Sequence, residues 1–149
     1  GGGTMISTTV KAVRELAAKT NSPTPLILAV TVLTSMSETD LAEIGIHEPV
    51  EQVVVGLARI AQTAGADGVV ASPREIHLIK EACGPDFVVL TPGIRPAAAE
   101  QDDQKRTMTP SQAVRAGADF LVIGRPITQA PDPRAAALAI ASELDACKK

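Results

Sequence analysis

Three stretches of the chain carry residue types suited to holding an anion and a planar amide. The apolar run Phe120-Leu121-Val122-Ile123 stops abruptly at Gly124-Arg125-Pro126. Glycine lets the backbone come close to a ligand, and a guanidinium beside backbone N–H groups makes a good phosphate site. A turn glycine followed by a solvated arginine is the plainer reading of that stretch taken alone. A second polar loop upstream tips the balance. Thr91-Pro92-Gly93-Ile94-Arg95-Pro96 opens a connection reaching Thr107, with Asp102-Asp103-Gln104-Lys105-Arg106 at its centre. So long a link between a strand and a capped helix is more often functional than a spacer. Residues 95–107 are therefore expected to form a mobile lid that orders over a bound anion, with a solvated charged loop as the competing reading. The third stretch, Thr34-Ser35-Met36, places small hydroxyls where a binding loop would begin.

Such groups need rigid elements behind them. Short apolar runs rich in branched residues predict strands near residues 26–33, 68–71, 87–90 and 120–123, the last buried on both faces. Ile6, Val10, Val13 and Ala17 recur at helical spacing to about Lys19, residues 37–45 suggest a short helix, and residues 48–64 a longer one. The apolar face of that longer helix is expected to comprise Val50, Val53, Val54, Leu57 and Ile60. Two junctions repeat each other: Ala64-Gly65-Ala66-Asp67 and Ala116-Gly117-Ala118-Asp119 each end a helix in a glycine and lead into a strand. Ser72-Pro73-Arg74-Glu75 and Thr109-Pro110-Ser111-Gln112 read as capping boxes with proline at the first helical position, and Asp132-Pro133 as a simpler cap. The order is a helix followed by four strand–helix units, which means a parallel sheet. A doubly wound sheet and a (β/α)₈ barrel both satisfy it, although no Gly-x-Gly-x-x-Gly follows any strand. In either case ligands gather at the C-terminal ends of the strands. Asp67 and Asp119 enter strands from the opposite end and are expected to be structural, Glu38 and Asp40 to be first-turn helix acids, and His77 and Cys83 to be inert.

Bulk properties narrow the partners. The chain has 149 residues, a net charge of −3 and no basic run, and its only aromatic residues are Phe87 and Phe120. That composition argues against nucleic acid as a partner. No apolar segment is long enough to span a bilayer. Cys83 and Cys147 fit no metal spacing, His47 and His77 are isolated, and a reducing cytoplasm is the expected setting.

Taken together, Leu33-Thr34-Ser35-Met36, Thr91-Pro92-Gly93-Ile94-Arg95-Pro96, Asp103-Gln104-Lys105-Arg106 and Ile123-Gly124-Arg125-Pro126-Ile127-Thr128 resemble the bacterial type of orotidine 5′-phosphate decarboxylase, in order and spacing over essentially the whole chain. The resemblance implies a partial (β/α)₈ TIM barrel: residues 1–149 would be about four C-terminal βα units with a preceding helix. It also implies decarboxylation of orotidine 5′-monophosphate to uridine 5′-monophosphate, no metal or organic cofactor, and a homodimer. By resemblance Thr34 would contact the pyrimidine, Gln104 would bridge pyrimidine and phosphate, Gly124 and Arg125 would hold the phosphate, and Arg95 would bind at the base of the lid. The family's catalytic Asp-x-Lys-x-x-Asp is absent from these 149 residues. No catalytic residue is therefore assigned, and the chain alone is expected to be inactive. Gly1-Gly2-Gly3 reads as the exit loop of the family's fourth strand, or as a cloning remnant. Two other readings stay open: another phosphate-binding barrel of the group, such as a hexulose-phosphate synthase or a sugar-acid phosphate decarboxylase, and a non-catalytic half-barrel nucleotide-binding module.

Overall fold

The computed structural model describes residues 1–96 and 107–147. Helix α1 (Gly2–Thr20) precedes strand β1 (Leu28–Val30), helices α2 (Glu38–Glu43) and α3 (Val50–Thr63), and strand β2 (Gly68–Val70). A 3₁₀ turn (Pro73–Glu75) then leads into α4 (Ile76–Cys83), followed by β3 (Val88–Thr91), α5 (Pro110–Arg115), β4 (Phe120–Leu121), α6 (Arg125–Thr128) and α7 (Pro133–Ala146). The strands form one sheet in the order β1-β2-β3-β4, every neighbouring pair parallel. Among the described residues this is an incomplete α/β barrel of four strands, as the family resemblance implied.

Register explains where the core lies. Residues level with one another in a parallel sheet face the same way, and successive residues alternate. Ala29, Val69 and Val89 share one level, with Val69 and Val89 fully buried in the core that also takes in Val54, Ala58, Ala61, Ile76 and Ile79 from the helices. Helix α3 turns Val50, Val54, Ala58 and Ala61 inward, whereas Leu57 and Ile60 stay exposed. The expected stripe is thus rotated. Small alanines face the sheet because α3 packs against α1, α4 and β2 at once, and close approach favours the smaller side chains.

The two repeated junctions superimpose in chemistry. Gly65 and Gly117 both adopt positive φ (87° and 103°), where only glycine avoids a Cβ clash. The following alanines donate back into the helix just ended, Ala66 N to Ala61 O and Ala118 N to Ala113 O, both at 3.0 Å. Each aspartate then clamps the neighbouring strand twice. Asp67 N donates to Ile27 O (2.9 Å) while its Oδ2 accepts from Ile27 N (2.7 Å), and Asp119 N donates to Val89 O (3.0 Å) while its Oδ2 accepts from Val89 N (2.7 Å). Both are structural, as their position at the N-terminal ends of strands suggested.

Several expectations are corrected. β1, β2 and β4 are shorter than the apolar runs, since residues 26–27 and 31–33 flank β1, Ala71 follows β2, and Val122 and Ile123 lie beyond β4, whereas β3 keeps four residues and is shifted by one. β4 is not buried on both faces, since Phe120 is 50% exposed and Val122 46%. It pairs only with β3 among the described residues, so one edge and one face meet solvent. Gly2 and Gly3 belong to α1 and not to a loop. Ser72 caps a 3₁₀ turn with its side chain accepting from Arg74 N at 3.2 Å, while Glu75 N donates to the Ser72 carbonyl instead of the hydroxyl and Glu75 is buried (1% exposed). Thr109 does form the expected box, reciprocated by Gln112, and Ser37 with Asp40 forms another. Asp132 caps α7 through Ala135 N.

Candidate ligand site at the strand tips

Because all four strands run the same way, their C-terminal ends lie along one edge of the sheet. β1 continues its pairing one residue past its end: Thr31 N and Oγ1 both donate to Val70 O, at 3.1 and 2.9 Å. The chain then turns tightly, Met36 N donating to Leu33 O at 3.0 Å, which tucks Thr34 inward to 7% exposure. Thr34 and Ser35 line a cavity of about 180 Å³ with Val30, Val32, Leu33, Val70, Ala71 and Pro92. The tips of β1, β2 and β3 therefore surround one small, largely apolar recess with two hydroxyls at its wall. A hydroxyl both donates and accepts, so this pair can read a planar amide edge.

At the next tip the polypeptide leaves β3 at Thr91 and returns at Thr107. Its two ends are tied: Ile94 and Met108 form a parallel bridge, and Arg95 N donates to Met108 O at 3.0 Å. Ile94 is fully buried and anchors that root. Arg95 is half-buried, with its guanidinium donating to the Ile94 carbonyl at 3.0 Å. Gln104, and residues 97–106 of the expected lid, lie outside the described residues. At the last tip Gly124 caps α6, its carbonyl accepting from Ile127 N and Thr128 N, and Arg125 is the first residue of that helix. Helix α6 leaves little trace in the sequence, since four residues are too few for a periodic pattern; Pro126 at its second position is the available hint.

Two buried polar residues lie at tips that the sequence marks as places for chemistry, Ala71-Ser72 and the start of the Thr91–Thr107 connection. Ser72 is fully buried behind β2, and Thr91 is fully buried with its hydroxyl lacking a hydrogen-bond partner among the described residues. Both belong to strand-to-loop junctions, which is the signal that singles them out in the sequence. Cys83 is half-buried at the far end of α4, where burial pushes its thiol pKa up and Arg59 partly offsets that shift. Among the described residues no cluster of three or more His, Cys, Asp or Glu could hold a metal, and no helix is long and apolar enough to cross a membrane.

The profile of the orotidine 5′-phosphate decarboxylase/HUMPS family matches residues 3–140. The chain belongs to this family. An orotidine 5′-phosphate decarboxylase from Moorella thermoacetica is 57% identical over 149 residues, covering 99% of this chain and 59% of that protein. One from Geobacter sulfurreducens is 64% identical over 118 residues, covering 79% of this chain and 49% of its own. The crystal structure of the Lactobacillus acidophilus decarboxylase superimposes with a TM-score of 0.77 at 38% identity, over 97% of this chain and 59% of that one. The chain thus spans about half to three-fifths of the length of these orotidine 5′-phosphate decarboxylase/HUMPS relatives.

Proposed function

We propose that this chain supplies the pyrimidine- and phosphate-contacting side of an orotidine 5′-phosphate decarboxylase, which releases carbon dioxide from orotidine 5′-monophosphate to give uridine 5′-monophosphate. One observation carries the reading: a single edge of the sheet bears Thr34 in its recess, Arg95 at the root of the 94–108 connection, and Gly124 with Arg125. In this reading the recess takes the pyrimidine, the Gly124 backbone and Arg125 take the phosphate, and Gln104 links the two. Phosphate binding far from the reacting carbon still lowers the barrier, because remote binding energy organises charges around that carbon.

The decarboxylation step needs an ammonium beside the reacting carbon and carboxylates around it. The lysines among the described residues sit elsewhere. Lys11 and Lys19 are on α1, and Lys80 donates to Pro85 O, Phe87 O and Asp119 Oδ2 at the opposite end of the sheet. With no Asp-x-Lys-x-x-Asp in its sequence, the chain alone binds without turning over. The same reading carries a reducing cytoplasmic setting, a homodimer in the complete enzyme, and no cofactor or nucleic-acid partner. Identities of 57% and 64% to proteins named as orotidine 5′-phosphate decarboxylases favour this substrate over a hexulose phosphate.

The test joins this chain to the part of the Moorella thermoacetica decarboxylase that it does not span, and follows the loss of orotidine 5′-monophosphate absorbance. The hybrid should turn over and the 149-residue chain should not. Arg125→Ala in the hybrid should cost on the order of 2–4 kcal/mol in kcat/KM through a lost charge-assisted contact. Unchanged efficiency would overturn the phosphate assignment.

A further inference from the structure

The turn after β1 carries more polar capacity than the fold uses. Met36 N donates to Leu33 O at 3.0 Å, which makes Thr34 and Ser35 the two central residues of a tight turn. Both line the recess at the tips of β1, β2 and β3. Thr34 is tucked in to 7% exposure, whereas Ser35 is only half-buried and so stands nearer the opening. The hydroxyls on either side of the turn are committed: Thr31 Oγ1 donates to Val70 O at 2.9 Å, and Ser37 Oγ is held by Asp40 in the cap of α2. Ser35 differs. It belongs to no helix or strand, and among the described residues neither its N–H nor its hydroxyl makes a hydrogen bond.

The other side chains of the wall, Val30, Val32, Leu33, Val70, Ala71 and Pro92, are apolar. They suit the two faces of a flat ring and leave its polar edge to be met by the turn. A backbone N–H is a fixed donor and a hydroxyl oxygen can accept, and here one residue brings both. That pair is the complement of a ring amide, whose carbonyl accepts and whose N–H donates. We propose that Ser35 is a specificity-determining residue of the recess: its N–H donates to a ring carbonyl of the bound pyrimidine, and its hydroxyl accepts from the adjacent ring N–H. The assignment rests on the reading that the recess takes the pyrimidine, and it adds a contact to the one given to Thr34. Ser35 takes no part in holding phosphate, so it governs the choice of base and leaves affinity for the sugar phosphate alone. A site built to hydrogen-bond a polar edge rejects a ligand that lacks one.

Titrating the 149-residue chain with uridine 5′-monophosphate and, separately, with ribose 5-phosphate tests this, because the second ligand keeps the phosphate and lacks the ring. The unchanged chain should bind the nucleotide more tightly, and the Ser35 amide should shift with the nucleotide and stay put with ribose 5-phosphate. Ser35→Ala should weaken the nucleotide about fivefold, the worth of one neutral hydrogen bond, while ribose 5-phosphate binds as before. In the hybrid with the Moorella thermoacetica part, the same variant should raise KM for orotidine 5′-monophosphate about fivefold with kcat unchanged. Nucleotide affinity untouched by Ser35→Ala would overturn the proposal, as would equal losses for both ligands, which mark a structural role for the turn. An unchanged KM in the hybrid would overturn it too, because the hydroxyl would then serve the added part of the protein. If Ser35→Ala fails to fold, the Ser35 amide of the unchanged chain decides alone. Equal affinity of the unchanged chain for the two ligands is a different failure: the recess would not take the pyrimidine at all, and the Ser35 assignment would fall with that reading.

Discussion

Two segments of this molecule begin alike and end in different surroundings. Ala64-Gly65-Ala66-Asp67 and Ala116-Gly117-Ala118-Asp119 make the same helix exit, the same positive-φ glycine and the same two-point aspartate clamp. The residues that follow diverge. Gly68 is buried in mid-sheet, where an added Cβ would lie 2.1 Å from Val88 O, whereas Phe120, at the equivalent position, is half open on the outer strand. Local sequence sets the junction, and place in the sheet sets what the next residue can be. The ion pairs differ as well. Asp119 meets Lys80 Nζ at 2.7 Å, with the lysine side chain only 14% exposed, while Asp67 meets a half-exposed Arg14 at 3.4 Å.

The sharpest way to break this comparison is to exchange the divergent residues. Gly68→Phe drives a side chain into the β3 backbone and should cost about 3 kcal/mol or more, enough to prevent folding in a domain of ordinary marginal stability. Phe120→Gly removes a half-exposed ring and should cost only about 1–2 kcal/mol. Urea unfolding of the two variants checks the order, and similar losses would mean that β4 is as enclosed as β2. Next come the clamps. Asp119→Ala strands both Val89 N–H and the Lys80 ammonium and should cost about 2–3 kcal/mol. Asp67→Ala strands Ile27 N–H beside a solvated arginine and should cost about 1–2 kcal/mol. Equal losses would show that Lys80 adds nothing to the second junction.

A smaller effect is expected at the caps. Thr109→Ala removes the side-chain acceptor for Gln112 N and should cost about 1 kcal/mol, while Ser72→Ala loses a bond to Arg74 N in a 3₁₀ turn and should cost less. The last expectation concerns reactivity. Burial raises the Cys83 thiol pKa, so its alkylation by iodoacetamide should gain speed only at a higher pH than for a free cysteine. An ordinary thiol profile would place Cys83 in water.

These residues also show what the sequence could disclose. Junction chemistry was legible, because a positive-φ glycine, a proline at the first helical turn and a threonine–glutamine box each act within a few residues. So was the parallel order, which follows from repeated strand–helix units. Burial was less legible, because it depends on neighbours far along the chain: Leu57 and Ile60 have the hydrophobicity of core residues but α3 turns its alanines inward, and the apolar run at β4 lies on an open edge. Glu75 looked like a capping acid, yet the chain after Ser72 tightens into a 3₁₀ turn that sends it inside. At the candidate site, the motifs containing Thr34, Arg95 and Arg125 told that these residues follow strand ends, which is where the fold sets them. The recess beside Thr34 was not legible, since Val30, Val70 and Pro92 come from three different strand ends.

The central claim is that nucleotide is held at the C-terminal tips of this sheet while the N-terminal rim serves only stability. Titrating uridine 5′-monophosphate into the ¹⁵N-labelled chain, and following the backbone amides, tests it most directly. The account predicts shifts concentrated at Thr34, Ser35, Arg95, Gly124 and Arg125, lost in Arg125→Ala, with the amides of Asp67, Asp119 and Val89 unmoved. Shifts centred on the Asp67–Asp119 rim, or no saturable shifts at millimolar nucleotide, would contradict it.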